Sequence, residues 1–143
     1  MQRIDATNGC LCVVPGSHRG QLFKHEYPND GVVNKAYHGI QGLTEADALK
    51  MVNVEMDVGD TIFFHPLLVH GSGRNNSAGY RKAISCHYAS CDCHFIEVSG
   101  TMQEDIAREV EHMAKSKSGM DISFMDVWKF KSRLVFGKEK DFC

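Results

Sequence analysis

The chain has 143 residues, a formal net charge of −2 at neutral pH and 43% hydrophobic residues. This length suffices for one domain with a modest core, and the composition is that of a globular protein rather than a disordered one. The near-balanced charge excludes the basic surface typical of nucleic-acid-binding domains, and no apolar run reaches the roughly 20 residues that a membrane-spanning helix needs.

The first predicted strand covers residues 9–14, an apolar run that stops at a Pro-Gly-Ser-His turn signal. Residues 18–44 are polar and show no period, which is typical of a functional loop or lid. One helical turn is predicted around residues 44–47. The alternating segment 51–56 is predicted to be the next strand.

A Val-Gly-Asp turn at residues 58–60 leads into a third predicted strand at 61–64. Pro66 removes a backbone donor, so an edge or an irregular exit is expected there. Strands are then predicted at 81–88 and 94–98.

The hydrophobic period changes after residue 100. Thr101 and Glu104 have the spacing of a capping box, and Ile106, Val110 and Met113 follow at helical intervals. A second helix is predicted over residues 123–135. Its apolar stripe would consist of Val127, Phe130 and Leu134, and Gly137 lies just past its expected end. Both helices are interpreted as packing elements.

About five strands therefore precede two helices, and the short connections predict an antiparallel sheet. Five strands form an open sheet with exposed edges, whereas a closed jelly roll needs about eight. Met1 lies only a few residues before an apolar strand. We therefore expect residues 1–143 to be the C-terminal part of a single domain whose first strands are absent.

Six cysteines could indicate a disulfide framework, and two pairs have the form Cys-x-Cys, Cys10/Cys12 and Cys91/Cys93. No apolar segment follows Met1, which predicts no secretory signal. Without such a signal, the cysteines are predicted to be reduced and to serve as small buried hydrophobic residues.

The densest cluster of chemically capable residues spans residues 63–75 and contains His65 and His70. The two histidines are five apart, so a regular strand would turn them to opposite faces. His70 and Ser72 are two apart and would share a face. The glycines on both sides of Ser72 would let the backbone approach a ligand closely.

Arg81 lies eleven residues beyond His70, across an Asn-Asn-Ser-Ala-Gly loop. A hairpin there would bring the two side chains onto neighbouring strands, with Ala83 and Ser85 leaving space beside the guanidinium. The planar fork of arginine matches a carboxylate in bidentate geometry. The pattern thus allows a site for a metal and a carboxylate ligand, although a lone core histidine is more often structural.

A zinc module built from Cys86, Cys91, Cys93 and His94 is an alternative. Its spacing is poor, because zinc sites prefer two to four residues between paired ligands.

From Asn8 onward the chain resembles the C-terminal half of the phytanoyl-CoA dioxygenase family. The resemblance covers nearly the whole chain and rests on residues 8–11, 14–18, 33–35, 38–41, 59–73 and 81–90, and in the tail on 126–128 and 133–135.

This resemblance implies an incomplete double-stranded β-helix, mainly β and jelly-roll-like or cupin-like, with two C-terminal helices. It implies that His70 binds iron(II) and that Ser72 and Arg81 hold the carboxylate of 2-oxoglutarate, with ascorbate as an accessory reductant. The implied reaction is hydroxylation of the 2-carbon of a branched fatty acyl-CoA in fatty acid α-oxidation, in the peroxisome. His65 matches no ligand of the family.

The chain departs from the family where the other iron ligands, a His-x-Asp motif, would lie upstream of Asn8. A facial triad needs two histidines and one carboxylate. The 143-residue chain is therefore expected to be inactive by itself. A non-catalytic binding or interaction protein is the alternative.

Overall fold

The computed structural model describes residues 2–26, 39–101 and 103–138. These residues form two compact units. The first comprises residues 2–24 and 40–86, and the second comprises 25–26, 39, 87–101 and 103–138. No helix within the described ranges is both long enough and apolar enough to cross a membrane.

The strands are short. They are β1 (Leu11–Val13), β2 (His25–Glu26), β3 (Gly39–Ile40), β4 (Val52–Val54) and β5 (His70–Ser72), and the helices are α1 (Glu45–Ala48), α2 (Gln103–Ser118) and α3 (Phe124–Lys131). A single 3-10 turn spans Ser17–Arg19. More of the described residues lie in helices than in strands.

A three-stranded antiparallel sheet in the order β4-β1-β5 organises the first unit. Val13 of β1 lies opposite Val52 on one side and His70 on the other. Directly paired residues of an antiparallel ladder point to the same face of the sheet. The sheet therefore puts the residues of β5 into register with the most buried strand of the unit.

The core of the first unit is formed by Cys10, Val13, Val14 and Val69, which lie in or beside β1 and just before β5. The ladder extends beyond the strands, because Val14 N–H donates to Val69 O at 2.9 Å. Val69, the residue directly before His70, thus belongs to this core.

The predicted helical turn at residues 44–47 is confirmed as α1. The Thr44 hydroxyl accepts from Asp47 N–H, and the Asp47 carboxylate accepts from Thr44 N–H, which together form a capping box. The Thr44 hydroxyl and backbone amide hold the pKa of Asp47 below its ordinary 3.8. This short helix leads the chain into β4.

The second unit contains the two predicted packing helices. Ala107 of α2 and Val127 of α3 are their buried residues. Phe124 N–H donates to Glu111 Oε1 at 2.8 Å, and Lys115 pairs with Asp121 at 2.6 Å, so the connection between the helices is tied to α2.

Both predicted helix boundaries needed correction. The carboxylate of Glu104 accepts from Gly100 N–H rather than from Thr101 N–H, and the Thr101 hydroxyl accepts from Gln103 N–H, so the predicted reciprocal capping box of Thr101 and Glu104 does not form. The second helix ends at Lys131, which leaves Leu134 outside it and Gly137 well beyond its end. Phe130 is exposed, and Trp128 instead packs edge-on against Phe124 at 6.0 Å.

Three predicted strands do not form. Residues 61–64, 81–88 and 94–98 have no regular structure, and every residue from 81 to 90 is exposed. An alternating pattern describes the polarity of the two faces, but a strand forms only where a second strand accepts its hydrogen bonds. These segments have no ladder partner among the described residues.

The expectation of a mainly β, jelly-roll-like chain is met only by an open antiparallel sheet. No closed barrel forms within the described part of the chain. Much of the predicted loop at residues 18–44 lies outside the described residues.

The prediction for the cysteines is confirmed for their free state but not for their burial. The described cysteines are all free thiols. Cys10 is buried and Cys12 half-buried, whereas Cys86, Cys91 and Cys93 are exposed. The exposed three lie in segments that form no strand, so no neighbouring layer covers them.

Candidate functional site

His70 opens β5, and one nitrogen of its ring already has a partner. Nδ1 lies 2.7 Å from the carbonyl oxygen of Leu68. A carbonyl oxygen can only accept, so this hydrogen bond requires Nδ1 to carry the proton and leaves the lone pair on Nε2. Metal-binding histidines use the same arrangement, in which one nitrogen donates to a carbonyl or carboxylate and the other binds the metal.

A turn at residues 65–68 places the Leu68 carbonyl. Leu68 N–H donates to His65 O at 2.9 Å, and Leu67 N–H donates to His65 Nδ1 at 3.1 Å. The lone pair of His65 Nδ1 is therefore occupied by a backbone amide.

The peptide immediately before His70 is held from the other side by the turn that follows β1. Val69 N–H donates to the Ser17 hydroxyl at 2.8 Å, and Val69 itself is only 3% exposed. With the bond from Val14 to Val69, both backbone polar groups of Val69 are satisfied, as burial requires. Residue 69 is thereby fixed relative to β1.

An aromatic ring also packs on the histidine. The centroid of Phe64 lies 4.9 Å from that of His70, with the two planes tilted by 57°. Such tilted contacts at 4.5–7 Å are favourable for aromatic rings. Phe64 restricts the ring of His70 without competing for either nitrogen.

Ser72 lies two residues beyond His70 on β5, so the predicted shared face is present. Ser72 pairs with Leu11 and His70 with Val13, which places all four on one face of the sheet. Both His70 and Ser72 are exposed. The strand thus presents an imidazole and a hydroxyl to the same side.

Arg81 is placed differently from the prediction. The loop at residues 75–79 is compact, because the Asn75 side chain accepts from Ser77 N–H at 3.0 Å and donates to Gly79 O at 2.9 Å. Such local bonds are typical of Asx turns. The chain then continues without a strand, and Arg81 is exposed, with no hydrogen-bond or ion-pair partner within the described ranges. The structure therefore brings His70 and Ser72 together, but does not place Arg81 on a strand beside them.

His70 suits iron(II) as a single ligand, since its Nε2 is accessible and has the required lone pair. The remaining donors are not assembled around it. Within the described residues, no group of three or more His, Cys, Asp and Glu side chains could hold a metal ion, and the zinc module proposed at Cys86, Cys91, Cys93 and His94 does not form. The described residues thus fit part of an iron site.

Two contributors were missed by sequence reasoning. The sequence shows Ser17 only as part of a turn signal, and it shows His65 only as a histidine predicted to face away from His70 and to match no ligand. A Ser directly after Pro-Gly, and a His directly before Pro, are local hints of side chains that bond to backbone. Their bonds to Val69 and Leu67 depend on tertiary geometry that spacing does not give.

The model of the family described as phytanoyl-CoA dioxygenase matches residues 1–83, more than half of the chain. The chain belongs to the phytanoyl-CoA dioxygenase family. The matched segment contains β1, β4, β5 and the predicted site residues His70, Ser72 and Arg81.

Curated relatives extend the match over nearly the whole chain. The peroxisomal phytanoyl-CoA dioxygenase of Mus musculus is 55% identical over 141 residues, which cover 96% of this chain and 41% of the mouse protein. A probable phytanoyl-CoA dioxygenase of Caenorhabditis elegans is 48% identical, covering 99% of this chain and 48% of the relative. A more distant protein of Stutzerimonas stutzeri, a probable alpha-ketoglutarate-dependent hypophosphite dioxygenase, is 31% identical over 88 residues, 59% of this chain and 30% of that protein. The chain thus spans less than half the length of the curated relatives it matches.

Proposed function

We propose that this chain is part of an iron(II)- and 2-oxoglutarate-dependent dioxygenase that hydroxylates the 2-carbon of a branched fatty acyl-CoA. Its His70 Nε2 is one iron ligand, and Ser72 and Arg81 bind the carboxylate of 2-oxoglutarate. The two names that support the proposal are the phytanoyl-CoA dioxygenase of mouse and the alpha-ketoglutarate-dependent enzyme of Stutzerimonas stutzeri.

One observation carries the proposal beyond the family name. The hydrogen bond from His70 Nδ1 to Leu68 O frees Nε2, and the alternation of β5 puts the Ser72 hydroxyl on the same face of the sheet. A hydroxyl donor and an arginine fork are the groups that bind a carboxylate with direction. A free imidazole nitrogen for the metal and a hydroxyl for the carboxylate thus lie on one face of the sheet, as the proposal requires.

Iron(II), when bound with 2-oxoglutarate, would supply the oxygen activation, with succinate and carbon dioxide as co-products. The role of this chain's residues is to bind and orient. Leu68 O fixes the tautomer of His70, Phe64 restricts its ring, and Arg81 would neutralise the carboxylate of the cosubstrate.

A chimera tests the assignment most directly. The matched 41% of the mouse relative is replaced by this chain, and the product is incubated with phytanoyl-CoA, iron(II), 2-oxoglutarate and ascorbate. We expect 2-hydroxylated acyl-CoA and succinate in equal amounts. His70→Ala should abolish both, and Arg81→Ala should raise the KM for 2-oxoglutarate by about tenfold or more, as expected when a charge-assisted bond is lost. Full activity of the His70→Ala chimera would overturn the iron assignment.

The 143 residues by themselves are proposed to be inactive. One imidazole should not retain iron(II) through gel filtration, and no succinate should form. Stoichiometric iron with succinate release by the isolated chain would contradict this.

The proposed location is the peroxisome, which rests on resemblance to relatives named peroxisomal. Co-migration of the endogenous protein with a peroxisomal marker on a density gradient tests it, and a purely cytosolic fraction would refute it.

A second candidate function is a non-catalytic interaction protein. The observation that favours it is the exposure of large apolar side chains beyond the sheet, with Phe63 and Ile84 each more than 80% exposed. Such side chains can mark interaction surfaces. An inactive chimera together with a stable partner recovered by crosslinking would favour this function.

A further inference from the structure

His65 has no ligand role in the proposed site, yet its side chain is committed to a specific bond. Its Nδ1 accepts from Leu67 N–H at 3.1 Å, while its carbonyl oxygen accepts from Leu68 N–H at 2.9 Å. Pro66 has no N–H, so the amide of Leu67 is the first donor available after His65. The side chain and the backbone carbonyl of His65 thus both close the turn at residues 65–68.

The acceptor role of Nδ1 fixes the tautomer of His65. A neutral imidazole has one donor and one acceptor nitrogen, so Nε2 of His65 carries the proton. His70 has the opposite arrangement, because its Nδ1 donates to Leu68 O. The two histidines are therefore held in opposite tautomers by the same short turn.

The turn connects the two rings through two peptide groups. The bond from Leu67 N–H to His65 Nδ1 orients the peptide between Pro66 and Leu67, and the Leu68 carbonyl accepts from His70 Nδ1 at 2.7 Å. On the far side, Ser17 holds Val69 N–H at 2.8 Å. Val69 N–H and the Leu68 carbonyl belong to the same peptide group, so Leu67 and Leu68 lie between two held peptides, and the orientation of the Leu68 carbonyl depends on both.

We propose that His65 is a positioning residue for His70: its Nδ1 closes the turn that aims the Leu68 carbonyl at His70 Nδ1, so that His70 presents an unprotonated Nε2. The functional importance of this rests on the proposed function, in which that lone pair binds the metal. The His18 ring also packs near His65, with its centroid 6.1 Å from that of His65.

The geometry also specifies which residue could replace His65. A side-chain acceptor that bonds the amide two residues later is the defining contact of an Asx turn. The oxygen of asparagine occupies the same position along the side chain as histidine Nδ1. Asparagine should therefore replace His65, whereas phenylalanine has a ring of similar size but no acceptor.

The test reads the tautomer of His70 directly, without metal. The 143-residue chain is labelled with ¹⁵N, and two-bond ¹H–¹⁵N correlations of the imidazoles are recorded about two pH units above the ordinary histidine pKa of roughly 6.5, where the rings are neutral. The unsubstituted chain should show His70 protonated on Nδ1 and His65 protonated on Nε2. His112→Asn, a substitution of an exposed histidine on α2, is the matched control and should leave the His70 signals in place.

His65→Asn should retain the Nδ1–H form of His70, and His65→Phe should shift the ratio of the two tautomers toward Nε2–H by about fivefold, the equivalent of one ordinary hydrogen bond. His65→Gln, whose acceptor is one bond farther from the backbone, serves as a second variant if His65→Phe does not fold, and should behave as His65→Phe. His70 mainly protonated on Nε2 in the unsubstituted chain would overturn the proposal. An unchanged His70 tautomer in folded His65→Phe and His65→Gln would overturn it as well.

The same variants in the mouse chimera separate this inference from the proposed function. The affinity for cobalt(II), followed by its d–d absorption, should fall in His65→Phe and recover in His65→Asn. If the tautomers behave as expected but no variant binds cobalt, the metal assignment has failed while the positioning role stands. If cobalt binds equally well to all variants, the positioning role is refuted and the metal assignment remains.

Discussion

Gly9 lies so close to the backbone of Gly73 that no larger residue fits at position 9. A Cβ atom on Gly9 would lie 2.7 Å from the carbonyl oxygen of Gly73 and 3.3 Å from the amide nitrogen of Asn75. Gly9 also has a φ of +84°, which residues other than glycine rarely adopt. This approach lets the segment after β5 run directly beside the start of β1.

Gly9→Ala should therefore destabilise the sheet that carries His70. The left-handed backbone alone costs about 1–2 kcal/mol for a residue with a Cβ, and displacement of the Gly73 carbonyl adds to it. We expect the free energy of unfolding to fall by about 2–4 kcal/mol, measured by urea denaturation.

Substitutions of two other glycines separate the effect of the left-handed backbone from the effect of the contact with Gly73. Gly16→Ala has the same backbone strain, with a φ of +82°, but open space around its Cβ. It should therefore lower the free energy of unfolding only by the cost of that strain. Gly79→Ala has neither positive φ nor a close neighbour and should be almost neutral. Equal losses in Gly9→Ala and Gly16→Ala would show that the contact with Gly73 is unimportant.

The sequence predicted that His70 and Ser72 lie on the same face of a strand, because alternation along a strand is a local property. It predicted α1 for a similar reason, since the reciprocal bonds of Thr44 and Asp47 lie within four residues. The prediction for Arg81 required a strand with a partner. Pairing is not local, and the alternation of residues 81–88 carries no information about whether a ladder is present.

The turn around Leu68 shows a different kind of limit. The parity of His65 and His70 applies only to a regular strand, and His65 lies in a turn outside β5, so parity alone does not assign their roles. What parity could not give is the bond from His65 to Leu67, which exists because the chain turns rather than extends there. Local irregularity thus determined which nitrogen of His70 is free.

Ser17→Ala should loosen the peptide before His70. The substitution leaves the amide of Val69 without its acceptor at a position that is 3% exposed, and an unsatisfied buried donor costs about 1–3 kcal/mol. We expect a loss of stability of that size, together with faster hydrogen exchange at Val69 N–H. Ser17→Thr retains the hydroxyl and should restore slow exchange. Unchanged exchange in Ser17→Ala would mean that another acceptor replaces the hydroxyl.

The cysteines should differ in reactivity as they differ in burial. Burial is the main cause that raises the pKa of the Cys10 thiol, with the nearby Glu55 carboxylate adding to it. Since the thiolate is the reactive form, Cys10 should resist alkylation by iodoacetamide in the folded chain. Cys86, Cys91 and Cys93 are exposed and should be modified first. Mass spectrometry after a timed pulse tests this order, and early labelling of Cys10 would contradict the burial of this residue.

Acid should weaken the first unit through two carboxylates with lowered pKa values. Asp5 accepts from the hydroxyl and the amide of Thr7, which lower its pKa, and Asp47 is held in the same way by Thr44. A carboxylate whose pKa is lower in the folded chain stabilises the fold above its unfolded value and loses that effect as the pH falls through the folded value. Stability should therefore be constant down to about pH 5 and decline below the ordinary 3.8 of both groups.

The cause of the lowered pKa values of Asp5 and Asp47 allows a second test of the loss of stability in acid. The largest contributions to both shifts come from hydrogen bonds to Thr7 and Thr44, whereas the charges of Arg3 and Lys50 come last. Salt screens exposed charges but leaves short hydrogen bonds intact. The acid decline of the urea midpoint should thus persist in about 1 M sodium chloride, and Thr7→Val with Thr44→Val should flatten it. A decline that disappears in salt would assign the effect to charge pairing and not to the two threonine hydroxyls.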